Sequence, residues 1–523
     1  MSNDDAGLIL ERANADFATG SFAEAARGFR SVIAMHPDVG ELYINLGAAL
    51  RAAGDTDGAE QAYRTAIDKL PNSALAWFNL ANLLRDKNSP DEALNAYRKA
   101  DSLQPGTVEI LNNLGVQLYD MGAVEEALAH YDAALAARPG HADTLTNRGN
   151  TLQRMGRMDA AEADIEHALR EAPTHPVYLL NKASFLAAAG HHDDAIVWAD
   201  KAIAADPGYT PARLRRASLL IQTGDLETGF REYEARWNIP NWHELPAKLP
   251  MPAWAGGNIA GKSLLLWNEQ GFGDALMYAR YIPLLGEMGA HLTVMVEHPL
   301  IRLFKNSFDG MKVHDLKDPP PDADFHASMM SLPYLTETTR ETIPANIPYL
   351  QPDAPETDAW QATVDTLAEG KPAVGLVWAG NPGQSHDYTR SIPPAFMAPL
   401  LAREDVRFFN LLVGPRGDEI HDPALIDVRA EIDDFASTAA LMQTLDLIIS
   451  VDSAPAHLAG ALGRPLWVLL SFDPDSRYFL KSEACPWYPT ATLLRQRAPG
   501  GRDQLIHRTN AALDDFIGTK AKS

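Results

Sequence analysis

The sequence predicts an α-solenoid of helical hairpins over residues 6–240, followed by an α/β unit made of two doubly wound domains that face each other across a cleft. Three observations predict it. A pattern of small, large and proline residues returns every 34 positions through the first half; a Pro- and Trp-rich stretch at 241–261 ends it; thereafter short apolar runs alternate with glycine loops and amphipathic segments. The second half divides in turn at 262–350 and 351–523, each part carrying its own strand, loop and helix alternation.

The repeat starts at Ala6, Gly40, Ala74, Val108, Ala142, Pro176 and Thr210. Its eighth position is always small (Ala13, Gly47, Ala81, Gly115, Gly149, Ala183, Ala217), and its twentieth is Ala25, Ala59, Ala93, Ala127, Ala161, Ala195 and Gly229. Small residues at these two positions let the helices of a hairpin approach closely. The large twenty-fourth residue (Phe29, Tyr63, Tyr97, Tyr131, Ile165, Tyr233, with Ala199 as the exception) fills the space beside them. Proline at the thirty-second position, Pro37 through Pro207, ends the second helix because it lacks a donor and clashes with the preceding turn. The pattern closely resembles the tetratricopeptide repeat (TPR), with six full repeats and a seventh that decays after Tyr233.

Stacked hairpins of this kind wind into a superhelix whose first helices line a groove. At the sixth position stand Asn45, Asn79, Asn113, Asn147 and Asn181, a column of amides able to donate to and accept from an extended polypeptide backbone. The same amides can instead hydrogen-bond the neighbouring repeat. Glu11 and Arg215 interrupt the column at the two ends. It resembles the TPR groove of O-GlcNAc transferases, which implies a protein acceptor as partner.

Between Ile239 and Gly261, Pro240, Pro246, Pro250, Pro252 and Gly256-Gly257 exclude a long helix, and Trp237, Trp242 and Trp254 suit the sealing of a domain interface more than the stacking of a glycan. Beyond it, strands are expected at 262–267, 291–296, 373–378, 406–413, 445–451 and 465–470, with helices at 275–288, near 299–307 and at 503–517.

The totals restrict the partners. At 523 residues, three or four packing units are expected at about 150 residues each. A formal charge of −24 disfavours phosphate backbones and anionic membrane surfaces, so nucleic acid is not an expected partner. Cys485 is the single cysteine, so no internal disulfide forms; the acidic start lacks a secretory layout, and no apolar run approaches a membrane span. The cytoplasm is the expected location.

Chemistry is expected at three strand ends. Gly271-Phe-Gly273-Asp274 offers two glycines at a helix start, a place where free N–H groups favour anions; Asp274 also suits a helix cap. Trp378-Ala-Gly380-Asn381 offers a ligand-facing loop, and Arg390 suits either a cation for a phosphate or a surface arginine paired with a carboxylate. Asp452-Ser453-Ala454 and His457 open a helix after a very apolar strand, and His457 suits either a diphosphate contact or a hydrogen bond in the core. Asp322-Ala-Asp324, a D-x-D pair, reads as a loop entering a strand, and the scattered histidines lack zinc spacing, so no metal is expected.

Together W-N-E-Q-G-F-G-D-A, G-L-V-W-A-G-N-P-G and S-V-D-S-A-P-A-H-L-A-G-A-L-G-R-P resemble the heptosyltransferase-like (family 9-like) glycosyltransferases of the GT-B fold, two Rossmann-like domains about a cleft. The likeness is closest to bacterial members that carry TPRs, some of which modify proteins, including flagellin. The resemblance implies Asp274 as general base, Arg390 as the basic residue that steadies the leaving nucleotide, and Ser453 and Ala454 as holders of the donor phosphates. Gly271, Gly273, Trp378, Gly380, Asn381, Asp452 and His457 complete the implied donor site. Ala454-Pro455 replaces the Gly-Leu of heptose enzymes, and Leu412 stands where many TPR relatives have glutamine. The implied activity is inverting, metal-independent transfer from a nucleotide-sugar, with no cofactor, to a protein docked on the groove. Two alternatives remain open at this point: a non-catalytic adaptor with a relict GT-B unit, and transfer to a surface glycan.

Overall fold

The computed structural model describes residues 3–239, 242, 244–384, 387–480 and 482–520; Pro240, one of the prolines that mark the join, lies outside them. The chain divides into two compact units, Met1–Asn181 and Lys182–Ser523. The division therefore falls inside the sixth repeat rather than at the proline-rich stretch.

In the first unit, helix pairs follow the 34-residue register: Asn3–Ala18 with Phe22–Met35, Gly40–Ala52 with Thr56–Lys69, Ala74–Asp86 with Pro90–Leu103, Val108–Asp120 with Val124–Ala137, and Ala142–Arg154 with Met158–Glu171. The small eighth position has a direct cause. A Cβ on Gly47 would lie 2.5 Å from a ring carbon of Tyr63, and one on Gly115 2.6 Å from the ring of Tyr131. Each tyrosine thus fills the place of the missing side chain. The turn within each hairpin needs a left-handed residue: Gly20, Gly54, Gly122, Gly156, Gly190 and Gly224 supply it, and Asn88 takes the same conformation at φ 57°.

The helix Pro176–Ala188 crosses the division, and His192–Ala205, Thr210–Thr223 and Leu226–Tyr233 belong to the second unit. There Ile221, Leu226 and Phe230 join one continuous apolar core with the α/β region.

The α/β region holds two sheets. The first contains β1 (Ser263–Trp267), β2 (His291–Val296), β3 (Lys312–Asp315) and β4 (Phe325–Ser328) in the order β3-β2-β1-β4, all parallel. The second contains β5 (Ala373–Val377), β6 (Arg407–Asn410), β7 (Leu425–Asp427), β8 (Leu447–Val451), β9 (Leu466–Leu470), β10 (Ala484–Cys485) and β11 (Tyr488–Arg495). Its order is β10-β11-β9-β8-β5-β6-β7, parallel except for the β10–β11 edge. Apart from β10, this is the doubly wound order 3-2-1-4-5-6.

Some expected elements differ in extent. The helix expected at 275–288 is two, Phe272–Tyr278 and Tyr281–Glu287, because Pro283 cannot donate to the carbonyl four residues back. β6 stops at Asn410, whose Oδ1 accepts the Leu412 N–H at 3.0 Å and turns the chain out of the ladder. Asp322–Asp324 leads into β4, and Asp324 accepts from both the amide and the hydroxyl of Ser263.

Candidate functional site

In an open parallel sheet, ligands bind beyond the carboxyl ends of strands, where the winding reverses direction. In the second sheet that point lies between β5 and β8, and in the first between β1 and β4. Gly271, Gly273 and Asp274 follow β1; Trp378, Gly380 and Asn381 follow β5; Asp452, Ser453, Ala454 and His457 follow β8. Topology thus gathers the three motifs at switch points.

Two of the loops touch. The helix Phe272–Tyr278 packs on the helix Ala454–Ala461, and a Cβ on Gly273 would lie 3.0 Å from His457 Cδ2 and 3.5 Å from Ala454 Cα. Asp274 is the third residue of its helix rather than the cap, and it is only 8% exposed. Its Oδ1 meets Arg477 Nη1 at 3.0 Å. The same guanidinium nitrogen lies 3.2 Å from His457 Nε2, and Asp475 holds Arg477 Nε at 2.7 Å. Burial opposes the charge on Arg477, but Asp475, Asp274 and Asp452 outweigh it and hold the proton firmly.

His457 makes hydrogen bonds in the core, the second of its two expected roles. It is 2% exposed, and burial pushes its imidazole below the usual histidine range, so the neutral ring is favoured. Since Arg477 donates to Nε2, the ring proton belongs on Nδ1, which stands 2.9 Å from the Tyr488 hydroxyl. Asp452 accepts from Tyr478 Oη at 3.1 Å. Burial pushes its carboxyl up, but the nearby Arg477 and Arg390 charges outweigh this and hold it below the usual carboxylate range.

The expected donor residues fall into two groups. Ser453 caps the helix Ala454–Ala461, and its hydroxyl donates to Val451 O at 3.2 Å. Pro455 removes one of the N–H groups that a helix start would offer a phosphate. Gly380 is glycine because a Cβ would lie 2.4 Å from Asp387 Oδ1 and 2.6 Å from Arg390 Nε. Asp387 takes the Arg390 Nε at 3.0 Å and Arg416 Nη1 at 2.5 Å, which sets two cations beside this loop. Asn381 is exposed, and its Oδ1 accepts the Gly383 N–H at 2.9 Å. Trp378 is fully buried, and its indole N–H donates to Glu419 at 3.2 Å.

The asparagine column is not uniform. Asn45 is exposed, whereas Asn79, Asn113, Asn147 and Asn181 are half-buried. Asn113 Nδ2 donates to Asn82 Oδ1 at 2.9 Å and Asn147 Nδ2 to Asn112 Oδ1 at 3.0 Å. Asn113 and Asn147 therefore each use a donor to join neighbouring repeats.

Arg477 and Arg416 were not among the expected residues. Nothing in their spacing announces them, because each reaches its carboxylate across the fold. Among the described residues, no helix is long and apolar enough to cross a membrane.

Comparison with known proteins agrees with this arrangement at both ends of the chain. Residues 10–74, 78–142 and 146–210 match the family described as tetratricopeptide repeat. Residues 432–496, from the helix Phe435–Thr444 to β11, match glycosyltransferase family 9 (heptosyltransferase). Protein FlbA of Caulobacter vibrioides is 29% identical over 327 residues, 57% of this chain and 54% of that protein, so the chain spans about half the length of this curated relative. Similar solved structures include a thermophilic TPR protein of Thermus thermophilus, at 25% identity and TM-score 0.32 over 35% of this chain and 100% of that one. A tetratricopeptide repeat protein from Parabacteroides merdae matches at 16% identity and TM-score 0.42 over 46% and 94%. The chain pairs a solenoid of tetratricopeptide repeats with an α/β region of parallel sheets, in which residues 432–496 match glycosyltransferase family 9 (heptosyltransferase).

Proposed function

We propose that the chain is an inverting, metal-independent glycosyltransferase that moves a sugar from a nucleotide-sugar to a polypeptide docked along the asparagine column, with flagellin a specific candidate. The observation that carries the reading is the convergence of the β1 and β8 loops on Asp274, the one carboxylate of the β1 motif that faces the family 9-like segment. In the step envisaged, an acceptor hydroxyl oxygen bonds to the anomeric carbon while its proton passes to an Asp274 oxygen. The bond from that carbon to the donor's phosphate oxygen breaks, and its electron pair leaves with the nucleotide. Arg390 and Arg416, beside the β5 loop, and the helix start at Ser453 are disposed to stabilise that charge.

One observation favours the adaptor reading instead: Asp274 is ion-paired and nearly closed to solvent. Co-expression with candidate acceptors and donor-pathway enzymes, followed by intact mass measurement, separates the two. A sugar-sized gain that Asp274→Asn removes supports transfer. A stable complex without any gain, under every donor tried, favours the adaptor. A gain that survives Asp274→Asn eliminates Asp274 as base.

A further inference from the structure

Asp473, in the loop after β9, is enclosed by side chains from the last repeats. Gln222 Nε2 donates to its Oδ1 at 2.8 Å and to Pro474 O at 2.9 Å; Arg215 Nη2 stands 3.3 Å from Oδ2, and His192 Nε2 3.6 Å from Oδ1. Burial pushes this carboxyl up, but His192, Arg215 and Gln222 outweigh it and hold it below the usual range, so the aspartate stays charged. The loop then runs straight into the site. Arg477 meets Asp274 and His457, and Tyr478 donates to Asp452. Phe479 closes it at φ 57°, a left-handed conformation that a bulky residue keeps only where its surroundings hold it, and it is buried.

The same stretch of chain also grips the first sheet. Arg236, just past the last repeat, forms a two-point pair with Glu269, five residues before Asp274. The carboxylate and its arginine thus sit on separate loops from separate sheets, and both loops are anchored by residues 192–238.

We propose that the last helices, His192–Ala205 to Leu226–Tyr233, are part of the transfer site, with Asp473 as a positioning residue. Through the loop 471–478, it sets Arg477 against Asp274 and thereby sets how Asp274 meets an acceptor hydroxyl. This rests on the reading of Asp274 as the base. The interruption of the asparagine column at Arg215 then has a purpose, because that position faces the loop and not a docked chain.

The test uses the full chain with Asp473→Asn and, as a second variant, Gln222→Met. Hydrogen exchange of the amides at 471–480 should quicken by about tenfold or more, while β8 stays protected. Unchanged exchange in both variants overturns the proposal. In the transfer assay, kcat should fall by about tenfold or more with little change in the donor's KM, and Arg477→Lys should retain more activity than Arg477→Gln. A fall confined to KM, or equal loss in both arginine variants, also overturns it. Asp274→Asn tells the two ideas apart. If it leaves transfer intact, the base assignment fails, while the exchange measurement still judges the anchoring of the loop.

Discussion

The pair Arg236–Glu269 offers a quantitative test of how the α/β region holds the loop after β1. The arginine side chain is 0% exposed and the glutamate 5%, with Nε to Oε1 at 2.7 Å and Nη2 to Oε2 at 3.0 Å. Arg236 also donates to Ser331 Oγ at 2.6 Å, and Trp237 stacks 4.4 Å from its guanidinium carbon. Replacing it by methionine keeps most of the packing but takes the cation from two carboxylates, Glu234 and the more deeply buried Glu269, which keeps the Ser328 hydroxyl as a donor. Breaking a buried pair from one side costs about 3–5 kcal/mol, a hundredfold or more in the folded ratio. The double variant Arg236→Met/Glu269→Gln removes the more buried of the two stranded charges and should return to within about 2 kcal/mol of the parent. Urea unfolding followed by tryptophan fluorescence reads this out, because Trp77 is the sole tryptophan before residue 182 and the signal comes from the second unit. A cost below about 1 kcal/mol for Arg236→Met, or a double variant no more stable than the single, would refute the reasoning.

Four further outcomes are expected. Gly115→Ala, pushed against Tyr131, should destabilise the first unit by about 1–3 kcal/mol, while Gly7→Ala, with nothing within 4 Å of its Cβ, should stabilise it slightly; circular dichroism melts distinguish them. Asn113→Ala and Asn147→Ala should each cost about 0.5–1.5 kcal/mol, whereas exposed Asn45→Ala should leave the melt unchanged and weaken capture of a docked polypeptide, read by calorimetry. Asp452 and Asp473 are held below their ordinary 3.8, so each stabilises the fold above that pH and loses its contribution as pH falls through the lowered value. The unfolding midpoint should drop on acidification below about pH 4, and less steeply in Asp473→Asn. Cys485 is buried, and its thiol is pushed up by that burial, so native protein should resist iodoacetamide until denaturant is added.

The hairpins were legible because every repeat solves the same packing problem with the same residues. Seven copies make Gly47 against Tyr63 and Gly115 against Tyr131 stand out as columns. The left-handed turn at Gly20, Gly54 and Asn88 was equally periodic, though visible only once φ was known. The central strands were legible as unbroken apolar runs, while β3, β7 and β10, of two to four residues at the margins, carry too little pattern to register. At the site, the glycine-bearing loops could be found because backbone approach demands small residues. Arg477, Arg416 and Asp473 could not, since an ion pair formed between distant segments leaves no spacing to read. Spacing also does not tell which way Trp378 turns its ring, which is buried.

Gln222 waits 251 residues for Asp473, and Phe230 packs edge-on against Trp487 further still along the chain. Early hairpins find their partners within the next repeat, so they can fold in step with synthesis. The last hairpin cannot. At about 5–20 residues per second, its inner face of Ile221, Leu226 and Phe230 stays bare for roughly 10–50 s after it leaves the ribosome. A nascent chain halted between residues 240 and 470 is therefore the species most prone to aggregate and most in need of chaperone cover.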